Sequence, residues 1–186
     1  MPYWNVQEFS VTTSTGNSAE IYANGRMQCS VTVLIKAFDP KTQTCHVLSD
    51  QELELIELVD YEVPDGKALS GEWVYTTKEN EFSHIITHGS QFANMTAATS
   101  PPTTDPVTAA GSEFQNVPFW VSATKEEAKK IGARITTPSK ETFTTHSDSF
   151  KSYISVIGRA PVIYNKKNTT LSWEQNWKEC VVFQPV

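Results

Sequence analysis

Five tryptophans are the residues of this 186-residue chain whose chemistry stands out first. An indole exposed on a protein surface can stack on a sugar ring or anchor a partner protein, although tryptophan also fills the cores of β-sandwiches. The segment from Leu171 to Trp177 mixes two indoles with amide and carboxylate groups, as a lectin-like site would. We therefore take Trp73, Trp173 and Trp177 as the candidate binding residues.

Patterns that could bind a metal or catalyse a reaction are weaker. His84 and His88 have the spacing of two metal ligands on a helix, but their neighbours are strand-like, and four residues of strand separate side chains by roughly 13 Å. Asp60, Glu62 and Asp65 carry the oxygen ligands that calcium prefers, without EF-hand spacing, and an acidic solvated face explains them more simply. A nucleophile elbow, a phosphate-binding loop and a paired cysteine and histidine are all missing from the sequence. We expect no metal, no cofactor, no catalytic residue and no enzymatic activity.

Composition restricts the class of protein that could position these side chains. The chain is 39% hydrophobic, 11% aromatic and 19% charged, with a formal net charge of −6. Few charges and many threonines and aromatic residues favour packed β-structure, so the sequence predicts an all-β fold. An acidic chain is a poor binder of nucleic acid, and no stretch approaches the roughly 20 apolar residues of a transmembrane helix.

The clearest predicted element is a strand. From Met27 to Ala37 every odd position is apolar and nearly every even position is polar, which is typical of a strand with one face on a core. Asn24 and Gly25 precede it and predict a two-residue hairpin turn, since both residues accept positive φ. Further on, Ser49 and Glu52 have the spacing of a capping box, which predicts one helical turn leading into a strand at 56–61.

The chain divides into two segments of different charge. Residues 93–113 are rich in Thr, Pro and Ala and predict a linker between domains at 1–92 and 114–186. The first segment has 13 acidic and 5 basic side chains and the second has 6 and 10, giving net charges of −8 and +4. Such segments attract each other, either within one chain or head to tail in a homo-oligomer formed through the acidic and basic domains.

Two stretches of the first segment resemble a known family. Tyr22 to Arg26, followed by Cys29 to Asp39, resemble the bacterial immunoglobulin-like domains of the invasin and intimin type, in which a turn leads into a Thr/Val-alternating strand. The resemblance implies an immunoglobulin-like sandwich for the first segment, and the short strands of the second predict another sandwich. We therefore expect two antiparallel β-sandwich domains, immunoglobulin-like, in tandem.

Together these features predict a non-enzymatic binding or structural module, an adhesin-, fibre- or toxin-associated component with a protein or glycan ligand. The alternatives are a glycan-binding lectin and a small β-rich cytolytic or insecticidal toxin, for which Thr136 to Ser155 would supply a membrane hairpin. The chain starts without a signal-like segment, so we expect cytoplasmic synthesis and a non-classical route for any release.

Its three cysteines, Cys29, Cys45 and Cys180, predict buried thiols, with a Cys29–Cys45 disulfide as the alternative.

Overall fold

A computed structural model describes residues 4–63, 66–82, 84, 86, 114–163, 169–172 and 182–185, the last two ranges by their backbone. Thirteen strands and one helical turn make up the secondary structure of this part of the chain. In chain order they are β1 (Asn5–Thr13), β2 (Ser18–Tyr22), β3 (Cys29–Asp39), β4 (Thr44–His46), α1 (Asp50–Leu53), β5 (Ile56–Asp60), β6 (Lys67–Ala68), β7 (Trp73–Thr76), β8 (Gln115–Ala123), β9 (Ala128–Thr136), β10 (Thr142–Thr144), β11 (Ile154–Arg159), β12 (Thr169–Ser172) and β13 (Val182–Pro185). The all-β prediction is confirmed.

Two sheets contain most of these strands. The first sheet has the order β1-β3-β8-β7, with β4 also paired to β3, and all of its pairings are antiparallel. The second sheet has the order β2-β11-β9-β5-β6, with β10 paired to β9. It is mixed, because β2 and β11 run parallel while its other pairs are antiparallel. A separate two-stranded sheet joins β12 to β13.

Both main sheets combine strands from the two segments that we expected to be separate domains. In the first sheet β3 pairs with β8, and in the second sheet β5 pairs with β9 and β2 with β11. The prediction of independent sandwiches at 1–92 and 114–186 is therefore wrong for the described residues. Local strand patterns show that a segment can form strands, but they do not show which strands become neighbours. The segment at 93–113 lies outside the described residues.

One hydrophobic core lies between the two sheets. Strand β3 alternates between buried and half-buried residues along most of its length, as its sequence predicts. Its inward residues, among them Val31, Val33 and Ile35, belong to the same buried cluster as Ile131, Ala133 and Ile135 of β9. The side chains of both segments thus exclude water from a shared interior, which is where the stability of the fold is expected to arise.

The predicted hairpin turn is instead a connection between sheets. Gly25 has a φ of 69°, and the Asn24 side-chain oxygen accepts hydrogen bonds from the backbone N–H groups of Arg26 and Met27, both at 2.9 Å. Positive φ therefore occurs at Gly25 but not at Asn24. The hairpin prediction is wrong because β2 belongs to the second sheet and β3 to the first.

The predicted helical turn is confirmed, and it leads directly into β5. The Glu52 carboxylate accepts hydrogen bonds from the Ser49 backbone N–H and hydroxyl, both at 2.8 Å, which holds the start of α1. Residues 82, 84, 86 and 161–163 belong to no strand. Within the described ranges, no helix has the length and apolar character needed to cross a bilayer.

The opposite charges of the two segments meet inside one chain. Among the described residues, five ion pairs join a basic side chain of 114–186 to an acidic side chain of 1–92, and they are Lys125–Glu72, Lys129–Asp60, Lys130–Glu62, Arg134–Glu57 and Arg159–Glu20. The intramolecular form of the predicted attraction therefore occurs in the described residues. Association between chains through the same charges stays a prediction.

Candidate functional site

A cluster of aromatic rings lies on the outer face of the second sheet. The ring centroids of Tyr61 and Tyr153 are 4.7 Å apart, and those of Tyr61 and His146 are 4.8 Å apart. Tyr61 follows β5, while His146 and Tyr153 lie on the connection between β10 and β11. We call these three residues the tyrosine patch. The rings are tilted at 38° and 59°, within the range of geometries that aromatic pairs adopt.

A glycine on β9 makes room for this patch. On this strand Ile131 and Ala133 point into the core, so Gly132 between them faces outward. A methyl group at Gly132 would lie 3.0 Å from Cδ2 of Tyr61 and 2.5 Å from Oγ1 of Thr145. The Thr145 hydroxyl oxygen in turn accepts a hydrogen bond from the Ala133 backbone N–H at 2.9 Å. The missing side chain therefore lets the Tyr61 ring rest against the sheet.

The patch is open to solvent and has charged groups on one side. Tyr153 is 42% exposed, His146 is exposed and Tyr61 is half-buried. The Lys130 ammonium lies 5.6 Å from the centroid of the Tyr153 ring, a cation–π distance, and 3.3 Å from the carboxylate of Glu62. The tyrosine patch therefore offers ring surface next to a fixed pair of charges.

His146 also borders a cleft of about 640 Å³ between β1 and β10, which we call the hydroxyl cleft. Its walls carry hydroxyl and amide groups together with two phenylalanine rings, and they comprise Val6, Gln7, Thr142, Phe143, Thr144, His146, Ser147, Ser149 and Phe150. The volume is within the usual range of small-ligand sites. No carboxylate, thiol or amine is part of this lining.

The chemistry of the hydroxyl cleft suits binding better than catalysis. The Ser147 side-chain oxygen is buried and has no hydrogen-bond partner among the described residues, so the neighbouring imidazole of His146 does not activate it as a general base would. The cleft and the patch together offer neutral polar groups beside aromatic surface.

The structure places the predicted binding residue Trp73 in the core rather than on an exposed surface. Trp73 is only 3% exposed, and its indole N–H donates a hydrogen bond to the Glu127 carboxylate at 3.0 Å. A smaller cleft beside it, of about 210 Å³, is lined by paired charges such as Lys125 with Glu127 and Lys129 with Asp60. Trp73 therefore offers no open indole face, and Trp173 and Trp177 lie outside the described residues.

A second tryptophan also has a structural role. Trp4 is 1% exposed, donates its indole N–H to Glu52 at 2.6 Å and stacks on the His46 ring at 6.0 Å. Burial raises the pKa of the Glu52 carboxyl, but hydrogen bonds from Ser49 and Trp4 and the charge of His46 outweigh burial and hold this pKa below its usual range. Core packing thus accounts for two of the five indoles that the sequence singled out.

Three of the residues that suggested a metal site have side-chain partners of their own. His84 lies 3.1 Å from the Glu79 carboxylate, Asp60 pairs with Lys129 and Glu62 with Lys130. His88 and Asp65 lie outside the described residues. In the ranges that the structure describes, no three His, Cys, Asp or Glu residues are grouped as metal ligands would be.

The cysteines differ from the expectation at one position. Cys29 is buried, as expected, whereas Cys45 is exposed, because β4 is a short edge strand. The two do not form the alternative disulfide. Cys180 lies outside the described residues.

Comparisons of the chain with protein-family models, with curated proteins and with solved structures found no match. The resemblance to immunoglobulin-like domains of the invasin and intimin type therefore stays a prediction.

Proposed function

We propose that this protein is a non-enzymatic binding module that recognises a glycan through the tyrosine patch and the hydroxyl cleft. One observation carries the proposal, namely the solvent-open pair of rings of Tyr61 and Tyr153 beside a cleft lined with hydroxyl and amide groups. Aromatic rings provide stacking surface for the C–H faces of a sugar, and neutral polar groups bind its hydroxyls.

The position of the patch on rigid elements supports this proposal. Tyr61 follows β5 directly, its backbone N–H donates to the Lys130 carbonyl at 3.0 Å, and its ring rests against Gly132. A ring held in this way loses little conformational freedom when a ligand binds, which favours affinity. A role as an adhesin-, fibre- or toxin-associated component would use the same surface and is part of the proposal.

We favour binding over the cytolytic alternative because of how residues 136–155 are used. This stretch contains the end of β9, the three-residue strand β10 and the start of β11, and its Thr145 and Ile154 are fully buried. Releasing it as a membrane hairpin would remove side chains from the core at a large cost in stability. The same stretch supplies most of the hydroxyl cleft, which fits a binding role.

The proposal is tested by screening the protein on a glycan array and measuring affinity for the best ligand by calorimetry. We expect Tyr153→Ala to weaken binding roughly five- to thirtyfold, which corresponds to about 1–2 kcal/mol for an aromatic residue at the centre of a binding site. Phe82→Ala is the matched control, since Phe82 is an aromatic residue with 41% exposure that belongs neither to the tyrosine patch nor to the cleft lining. A chain that binds no glycan, or a Tyr153→Ala variant that binds as tightly as the control, would contradict the proposal.

A further inference from the structure

A second groove, remote from the tyrosine patch, opens between the two sheets where α1 and β5 approach β7 and β8. Its volume is about 380 Å³, within the range of small-ligand sites. We call it the acidic groove, and its lining consists of Asp50, Leu53, Glu54, Ile56, Glu57, Tyr75, Thr77, Val117 and Phe119. None of these residues lines the hydroxyl cleft.

The floor of the acidic groove is apolar and well anchored. Ile56 and Phe119 are buried core residues, and Leu53, Tyr75 and Val117 are half-buried and pack against that core. The Tyr75 ring meets the Phe119 ring edge to face, with 5.5 Å between centroids. An apolar ligand body placed on this floor would remove more hydrocarbon surface from water, which favours binding.

The rim of the groove carries an excess of negative charge. The Glu57 carboxylate is bound by the Arg134 guanidinium at 2.6 Å, so that charge is balanced. Asp50 and Glu54 are exposed, and in the part of the chain that the structure describes neither forms an ion pair. Two unbalanced carboxylates beside an apolar floor attract a cation and repel an anion.

We infer that the acidic groove binds a small amphiphilic organic cation, an alkyl- or arylalkyl-ammonium compound. The apolar body would lie on the half-buried side chains of Leu53, Tyr75 and Val117, and the ammonium group would lie at the rim, near Asp50 and Glu54. The negative charge of the rim favours a cation, and the groove volume of about 380 Å³ favours a small molecule. This inference is independent of the proposed glycan binding.

Three ligands that share a phenylethyl group and differ in the charge of their polar group test the inference on the unmodified protein. Binding of 2-phenylethylamine is compared by NMR titration with that of 2-phenylethanol, which is neutral, and of 3-phenylpropionate, which is anionic. We expect the amine to bind roughly five- to thirtyfold more tightly than the alcohol and the anion to bind least, because the two exposed carboxylates attract the ammonium group and repel a carboxylate. This preference should decline in high salt, since salt screens exposed charges.

Substitutions at the rim test whether the preference for the amine arises in the acidic groove. The double variant Asp50→Asn/Glu54→Gln should reduce the affinity for the amine to that for the alcohol. Its control is Glu8→Gln/Glu81→Gln, which changes the net charge equally at exposed positions outside the groove and should bind the amine like the wild type. Thr77→Trp places an indole at the exposed rim and should abolish binding of both ligands.

Three results would overturn the inference. They are equal affinity for the amine and the alcohol, a rim double variant that binds the amine as tightly as its control, and no binding of the amine at millimolar concentration. A glycan that still binds the Asp50→Asn/Glu54→Gln variant would show that the two sites are separate.

Discussion

Truncating matched isoleucines in the two segments tests whether the chain unfolds as one unit. Ile35 of β3 and Ile131 of β9 are both fully buried and belong to the same core cluster, although they come from different segments. Replacing a buried isoleucine by alanine removes apolar contacts and leaves a cavity, at a cost of about 2–5 kcal/mol. Both residues lie on strands with a partner on each side, so the backbone can relax little, and we expect about 3–4 kcal/mol for each.

The assay is urea unfolding followed by tryptophan fluorescence and far-UV circular dichroism, together with scanning calorimetry. Each variant should show one cooperative transition with a lower midpoint, and Tm should fall by roughly 6–16 °C for a chain of this size. Val47→Ala is the control, because Val47 is 70% exposed and should change stability by less than about 0.5 kcal/mol.

Two transitions in the wild type would refute this reasoning, with Ile35→Ala shifting one of them and Ile131→Ala the other. A fragment of residues 1–92 gives a second test, because it lacks β8 and β9, with which β3 and β5 pair. We expect this fragment to remain unfolded. A folded fragment with dispersed amide resonances would show that the strands of the first segment suffice for a core.

Three further predictions concern single sites. Gly132→Ala should lower the free energy of unfolding by about 1–3 kcal/mol, because the new methyl group would lie 2.5 Å from Oγ1 of Thr145. A change below about 0.5 kcal/mol in urea unfolding would contradict tight packing at this position. The pKa of Glu52 is lowered in the folded protein, so its contribution to stability is present above the unfolded pKa of about 4.5 and is lost as the pH falls through the folded pKa. Glu52→Gln should therefore flatten the loss of unfolding free energy as the pH is lowered below about 5, and an unchanged slope would exclude this cause. Iodoacetamide at about pH 8 should modify exposed Cys45 in the native protein but Cys29 only after unfolding, because burial raises the pKa of the Cys29 thiol to about 12. Peptide mapping that finds both cysteines modified alike in the native protein would contradict this difference in reactivity.

Local features of the fold were predictable from the sequence. The alternation from Met27 to Ala37 specifies the inward face of β3, and the pair Ser49 and Glu52 specifies the start of α1. Such signals depend on residues within one turn or one strand, where spacing along the chain determines spacing in space. The left-handed conformation of Gly25 belongs to the same class.

Strand partners could not be predicted in this way. The pair Asn24 and Gly25 favours a type I′ hairpin turn, which needs positive φ at both residues, but only Gly25 has positive φ and the chain passes from the second sheet to the first. The partner of β2 is β11, which runs parallel to it and lies far along the chain. The low-complexity composition of 93–113 also favours a boundary between domains, although a connection between strands of one fold can have the same composition.

The candidate site was missed for a related reason. Tyr61, His146 and Tyr153 have no common motif, and the connection between β10 and β11 brings the last two to the first. The sequence drew attention to tryptophan as the largest aromatic residue, but size also favours burial, as for Trp4 and Trp73. An outward glycine beside a tyrosine becomes informative only once the neighbours of β9 are known.

The pairing of β2 with β11 also affects how fast and when the chain can fold. Contacts between residues 18–22 and 154–159 close a very long loop, and chains dominated by such pairings fold slowly. During synthesis β2, β3 and β5 emerge before the strands that complete their sheets, so their apolar faces and open edges are exposed to other chains in that interval. We expect the yield of folded protein to depend on chaperones and on low expression temperature more than its final stability would suggest.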